Sequence, residues 1–393
     1  MNKVMIKKKN SKYDIFLNIY IALLFLLPQN MLLYLLAPAG LLIISNIQDK
    51  RSKEWKNSFL TFFLIIFISL LLNINQTWLD LKSVLRALQL LFFFYFFGKT
   101  RSIEIYKSTI IFIVLYILLF QFASILHIGF INDISMALYP LDESDSKKYE
   151  YVSSLSLIEA GTLGRLSGIY HESNNQAIYL EILFILLFLE KGKFYEKRVY
   201  SIIHIVLMFL ILIGIVAAGS RTSFIILLGV FSSLIISNRG MKSKIIMALA
   251  IVFFSGLIIY LGNDLRLLKV SEGMDNSFAL KINILYNYFE WALTPLRFLF
   301  GVFSTQALIP LLHTDFPGTD FDLGNMFVIY GITFMIALFY FFFRLYKRLN
   351  KDYRVFFWIF LWMFSNTIIV NYRTSSIVLL LLSIFYIKSR KTV

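Results

Sequence analysis

The sequence predicts an all-α fold, a polytopic membrane helix bundle of about 12 transmembrane helices with two long outer loops that carry short helices. Three observations predict it. Hydrophobic residues fill 59% of the 393 positions, and mean hydropathy is +0.74, whereas a soluble domain is about 45–50% apolar. Charged residues make up 16%, against about 25% in a soluble domain, and the apolar residues come in long runs. The basic residues collect at alternate ends of those runs.

The runs approach the ~20 residues needed to cross hydrocarbon. The first, about 14–28, follows the basic stretch MNKVMIKKKNSK. Its flanks resemble a signal peptide, but no small-residue cleavage site follows and the next run begins at once at Met31. It is therefore read as a retained span. The second, 31–47, ends at QDKRSKEWK, from which 58–74 returns. Run 81–97 contains LLFFFYFF at 90–97, read first as plain lipid-facing bulk and otherwise as the wall of a lateral groove between spans, and ends at GKTRSIEIYK. Run 108–126 leads into the first long loop. Runs 174–190 and 199–217 flank KGKFYEKR, and 222–237 and 244–262 flank NRGMKSK. Runs 323–343 and 355–371 flank RLYKRLNKDYR, and 374–387 leads into KSRKTV.

The seven basic segments hold most of the 38 Lys and Arg, while most of the 23 Asp and Glu lie at the opposite ends. The positive-inside rule then puts both termini in the cytoplasm. The net charge of +15 is a topology signal that also meets anionic membrane lipid. It is scattered over seven segments rather than gathered on one face, which argues against a nucleic-acid partner. Residues 1–393 read as a single integral membrane domain, with outer loops at about 127–173 and 263–322. The inner loops are short, so the work falls on the outer face. There is no GxxxxGK[ST] phosphate loop and hence no sign of an ATP-driven pump. The chain has no cysteine, so no disulfide or thiolate chemistry is available. No metal or cofactor is expected.

Four stretches carry candidate chemistry. AAGSRTSFIILLG, residues 217–229, sets Arg221 in an outer corner just before a helix begins. A guanidinium beside free helix N–H groups makes an anion site, above all for phosphate; the plainer reading is an arginine anchoring the corner in headgroups. GRLSGIYHESNNQAIYLEIL, residues 164–183, brings Arg165 and Gly168, then His171, Glu172, Ser173, Asn174 and Asn175, to a span entrance. So many polar groups point to a hydrated cavity. Glu181 lies further in, where an acidic side chain is a functional candidate by default or pairs with a polar neighbour. IIVNYRTSS, residues 368–376, puts Arg373 in the last outer turn. HTDFPGTDFDLGNMFVIYGI, residues 313–332, holds His313, Asp315, Asp320 and Asp322. These groups suit deprotonation of a hydroxyl or divalent-cation binding; the alternative is a solvated loop turned by Pro317, Gly318 and Gly324.

Over about residues 160–345 the order of RLSGIYHESNNQA, SRTS, RFLFGVFST and TDFDLGNMFVIYGI resembles that in bacterial O-antigen polymerases and ligases, the Wzy/WaaL superfamily. The resemblance implies a GT-C-like, polyprenol-dependent glycosyltransferase on the outer face of the bacterial cytoplasmic membrane. Its substrate would be an oligosaccharide on undecaprenyl diphosphate, and a flippase and a chain-length regulator would be its partners. The family's diphosphate-holding arginines match Arg165 and Arg221. In ligases a histidine precedes the glycine of the final GI pair by about eleven residues. Here that glycine is Gly331 and the matching residue is Asp320; His313 is seven residues too early. The departure favours a polymerase over a ligase, and the two long outer loops favour an enzyme over a flippase.

Electrostatics agrees with the resemblance. Fixed cations stabilise the charge born on a diphosphate leaving group, a task for Arg221 and Arg165. A sugar hydroxyl needs a base, for which Asp320 is the first choice, with Glu172 and Asp322 behind it. Arg373, Glu172, Asn174, His313 and Asp322 are the expected substrate-binding residues.

Overall fold

The computed structural model describes residues 11–28, 53–76, 105–126, 128–139, 168–170, 173–190, 198–218, 294–304 and 322–348, with single residues or short stretches elsewhere. Eight helices are described: α1 Ser11–Leu26, α2 Lys53–Asn73, α3 Lys107–Ile125, α4 Gly129–Leu138, α5 Ser173–Leu189, α6 Arg198–Ala217, α7 Pro295–Phe300 and α8 Asp322–Arg348. No strand occurs among the described residues. Helices α1, α2, α3, α5, α6 and α8 fall on apolar runs, while α4 and α7 lie within the stretches read as outer loops. Described residues of runs 81–97, 222–237, 355–371 and 374–387 are helical as well. Run 244–262 lies outside the described residues, as does 31–47 apart from Met31 and Leu35. Two helical stretches, Arg198–Ala217 and Leu323–Arg344, are long and apolar enough to cross a membrane.

The centre of the packing is α5. Every residue from Gln176 to Leu187 is buried, as suits a helix that is apolar all round. Helix α6 runs antiparallel to it. Gln121 Nε2, near the end of α3, donates to Gly214 O at 2.8 Å and accepts at Oε1 from Gln176 Nε2 at 3.3 Å. At the other end the His204 ring nitrogen Nε2 lies 3.1 Å from Leu187 O. Gly214 is what lets α6 approach so closely: a Cβ there would stand 2.8 Å from Gln121 Oε1 and 2.9 Å from a Leu118 methyl. The opposite face of α6 leaves Ile202, Ile205 and Phe209 exposed at 55–60%, an apolar surface suited to lipid.

Helix α1 runs parallel to α3 and is pinned by one buried amide. Asn18 Nδ2 donates to Asp14 O at 2.7 Å, and Asn18 Oδ1 accepts the Tyr106 N–H at 2.7 Å. That N–H precedes the first turn of α3, where the backbone has no donor sites satisfied by its own helix. Helix α2 packs antiparallel on α8 through Phe62, whose ring centroid lies 5.3 Å from that of Phe334 and 5.9 Å from that of Phe341.

Helix α8 breaks at Gly331, where φ is 76° and ψ is 180°. The break removes the regular partners of nearby carbonyls. They are met by the segment that follows α7: Val302 N–H donates to Val328 O at 2.9 Å and Phe303 N–H to Ile329 O at 2.7 Å. In return the Thr333 hydroxyl donates to Leu299 O at 2.6 Å. Asn73 of α2 closes the junction, its Nδ2 donating to Ser69 O at 2.8 Å and to Gly301 O at 3.2 Å. Residues 301–304 are fully buried here. Non-helical backbone in such surroundings persists only when protein groups satisfy it.

Gly331, and Gly301 with φ 68° and ψ −163°, occupy a region essentially closed to residues with a Cβ. A Cβ on Gly331 would also meet Leu299 O at 2.3 Å, and one on Gly301 would meet Ile329 backbone atoms at 2.4 Å. Gly331→Ala and Gly301→Ala should each cost more than about 2 kcal/mol or prevent folding. Gly129→Ala, where a Cβ meets nothing within 4 Å, should leave the thermal unfolding midpoint unchanged or raised. Thermal unfolding in detergent compares the three; equal midpoints would disprove the strain.

Candidate functional site: a recessed arginine and tyrosine cage

Helix α1 ends at Leu26 and Pro28 follows, so the chain cannot continue the ladder. The last carbonyls of a helix lack internal partners. Here three of them are met by side chains remote in sequence. The Tyr170 hydroxyl donates to Phe25 O at 2.7 Å. The Tyr139 hydroxyl donates to Leu26 O. Arg373 Nη2 donates to Leu27 O. A cation at a helix C-terminus is favoured by the helix dipole as well.

The guanidinium is enclosed by aromatic rings. Arg373 Cζ lies 5.0 Å from the Tyr170 ring centroid and 5.8 Å from that of Tyr179, within cation–π range. The two tyrosine rings are 4.2 Å apart, and Phe25 meets Tyr179 edge-on at 6.3 Å. Tyr116 and Tyr139 hydroxyls are 3.2 Å apart. Arg373 is 5% exposed, so its charge is largely withdrawn from solvent. Tyr179 follows Ser173, the first residue of α5, by six positions, or about 9 Å along a helix. The cage is thus recessed beneath the start of α5.

A polar layer adjoins it. Gly168 packs so closely that a Cβ would meet Gln121 Cβ and Gln176 Nε2, each at 3.3 Å. Gln176 Oε1 is buried without a hydrogen-bond partner. Further along α5, Trp362 Nε1 donates to Glu181 Oε2 at 2.7 Å, while Oε1 is buried with no partner. Glu181 thus has the polar neighbour that was its alternative reading.

Among the expected site residues, Arg373 is placed in full. Asn174 and Asp322 lie in the first turns of α5 and α8, and their side chains are not described. Arg165, Arg221, Asp320, Glu172 and His313 lie outside the described residues. What the structure does join is the candidate stretches themselves: Tyr170 meets Arg373, and 299–303 meets 328–333. Phe303, at φ 64°, joins Gly301 and Gly331 as the positive-φ positions among the described residues. All three sit at the second of these junctions, and such strain concentrates at functional sites. Tyr139, Tyr179, Gln121 and Gln176 were not singled out from the sequence. A glutamine inside an apolar run is a readable signal for the last two; nothing local marks Tyr139.

Burial holds the Tyr139 hydroxyl proton well above the usual tyrosine range, with Tyr116 adding to the effect and Arg373 opposing it. Burial does the same for Tyr170, again against the pull of Arg373. Both stay protonated donors at neutral pH. A raised folded pKa contributes stability below the unfolded value of about 10, lost as pH rises beyond it. Thermal midpoints should therefore be flat in this respect from pH 6 to 9 and fall above pH 10. Tyr170→Phe removes one donor and leaves Phe25 O buried and unpaired, at about 1–3 kcal/mol. An unchanged midpoint in that variant would show that the cap is not used.

No protein-family model matches this chain, and no curated protein matches it.

Proposed function

We propose that this chain is a multi-pass enzyme of the bacterial cytoplasmic membrane that polymerises O-antigen or capsular polysaccharide from undecaprenyl-diphosphate-linked repeat units. The about twelve apolar runs form one bundle with both termini in the cytoplasm. The observation that carries the reading is the pairwise meeting of the candidate stretches, Tyr170 with Arg373 and 299–303 with 328–333. Contacts between helix ends support the orientation. Gln121, Gln176 and Gly214 meet at ends free of basic clusters. Lys107 Nζ lies 3.8 Å over the Tyr200 ring, joining two ends that carry such clusters.

In the proposed reaction the bond between the anomeric carbon and the diphosphate oxygen breaks. A glycosidic bond forms to a hydroxyl of the terminal sugar on a second carrier. The hydroxyl proton goes to Asp320, and undecaprenyl diphosphate leaves with the bonding pair. Arg165 and Arg221 hold the diphosphate and stabilise its growing charge, a contribution of about 3–4 kcal/mol for one well-placed donor. Arg373 is occupied with Leu27 O and the tyrosine rings, so its part is to shape the floor of the site. Lipid tails lie against the exposed aliphatic faces.

Purified chain in vesicles, given undecaprenyl-diphosphate repeat units without ATP or added metal, should extend glycan chains. Arg221→Ala and Arg165→Ala should each lower the rate by about 100-fold or more with protein level unchanged. Normal chain lengths in both variants would remove the diphosphate role, and a strict metal requirement would favour the carboxylate cluster as a cation site. Asp320→Asn with full turnover would remove Asp320 as the base.

A further inference from the structure

We propose that helix α4, at the start of the stretch read as an aqueous outer loop, is an interfacial helix whose outward stripe contacts lipid hydrocarbon. The stripe is Phe130, Ile134 and Leu138, exposed at 74%, 36% and 47%. These positions are four apart and share one helix face. Toward the protein turn the half-buried Ile131, Asn132 and Ser135, with Ile131 packed against the core, and the exposed Asp133 borders the stripe. A helix facing only water would bury its bulky apolar residues instead of presenting three of them outward.

Its course agrees. Helix α4 begins beside the end of α3, where Ile128 N–H donates to Ala123 O at 2.9 Å. It ends at Tyr139, whose ring meets Phe120 edge-on at 6.2 Å and whose hydroxyl lies 3.2 Å from that of Tyr116. Tyr116 precedes Ala123 by seven positions, about 10 Å along α3. The chain therefore turns back alongside α3 instead of leaving into a loop. Exposed apolar residues continue from Leu119 on α3 through Leu126 and Ile128 into Phe130. A surface that is apolar on both helices, and continuous between them, fits the outer leaflet, into which interfacial helices sink by about 5–10 Å. Tyr139 also ties the far end of α4 to Leu26 O.

The inference rests on the membrane reading above, and the test separates the two. The chain has no cysteine, so single labels can be placed without removing any. Phe130→Cys, Ile134→Cys and Asp133→Cys are compared with Phe209→Cys on the exposed face of α6. Each variant carries an environment-sensitive fluorophore and is reconstituted in phosphatidylcholine and phosphatidylglycerol vesicles. Spin labels on the lipid acyl chains should quench positions 130, 134 and 209 several-fold more than 133, and aqueous iodide should favour 133. Iodide quenching at 130 and 134, with 209 still quenched by lipid, would overturn the inference and leave the membrane reading intact. Shielding of 130 and 134 from both quenchers would show a second copy or another protein on the stripe and also overturn it. Absence of lipid quenching at 209 would overturn both readings.

Discussion

Unpaired backbone carbonyls in an apolar interior dictate this structure. A helix that stops among apolar neighbours leaves polar groups that cost about 1–3 kcal/mol each if nothing meets them. Helix α1 stops at Leu26, and α8 breaks at Gly331. Each interruption is answered by groups from far along the chain. Arg373, Tyr139 and Tyr170 answer the first; Val302 and Phe303 N–H groups answer the second. The polar groups that close the first of these ends form the arginine and tyrosine cage.

Helix identity was legible because it depends on apolar length, which a sequence states directly. The expected run 58–74 meets a helix at Lys53–Asn73, and 174–190 meets Ser173–Leu189. The break in α8 was not legible. Gly331 was read as a landmark in a motif, yet its φ of 76° and the approach of Leu299 O, which a Cβ would meet at 2.3 Å, both require a residue without a side chain, and Leu299 is 32 positions away. Short helices in the outer loops were expected, and α4 is one of them, but the outward turn of its apolar stripe was hidden for a related reason. Ten residues at modest apolarity look like part of a loop until their stripe is seen to face outward.

The candidate site divides the same way. Arg373 stood out as a charge in the last outer turn between two apolar runs, and its burial against Tyr170 and Tyr179 gives that charge a physical setting. The sequence could not say that its partner would be the end of α1, since capping by a remote side chain leaves no local pattern. Glu181 was noticed because a carboxylate in an apolar run is costly; Trp362 as its donor lies 181 positions on. Single residues of unusual type are visible in one dimension, whereas the pairings that define their roles belong to three.

These features fit a chemistry in which the protein supplies fixed charge and a shielded floor while a lipid carrier supplies the reactive diphosphate. Preorganised groups of this kind stabilise developing charge without reorganising when it appears. The most direct measurement is a structure of the chain in a lipid nanodisc with an undecaprenyl-diphosphate oligosaccharide bound. The account predicts the diphosphate between the Arg165 and Arg221 guanidinium groups, in a chamber floored by Arg373, Tyr170 and Tyr179. Arginines turned separately to the bilayer, with the diphosphate bound elsewhere, would contradict it.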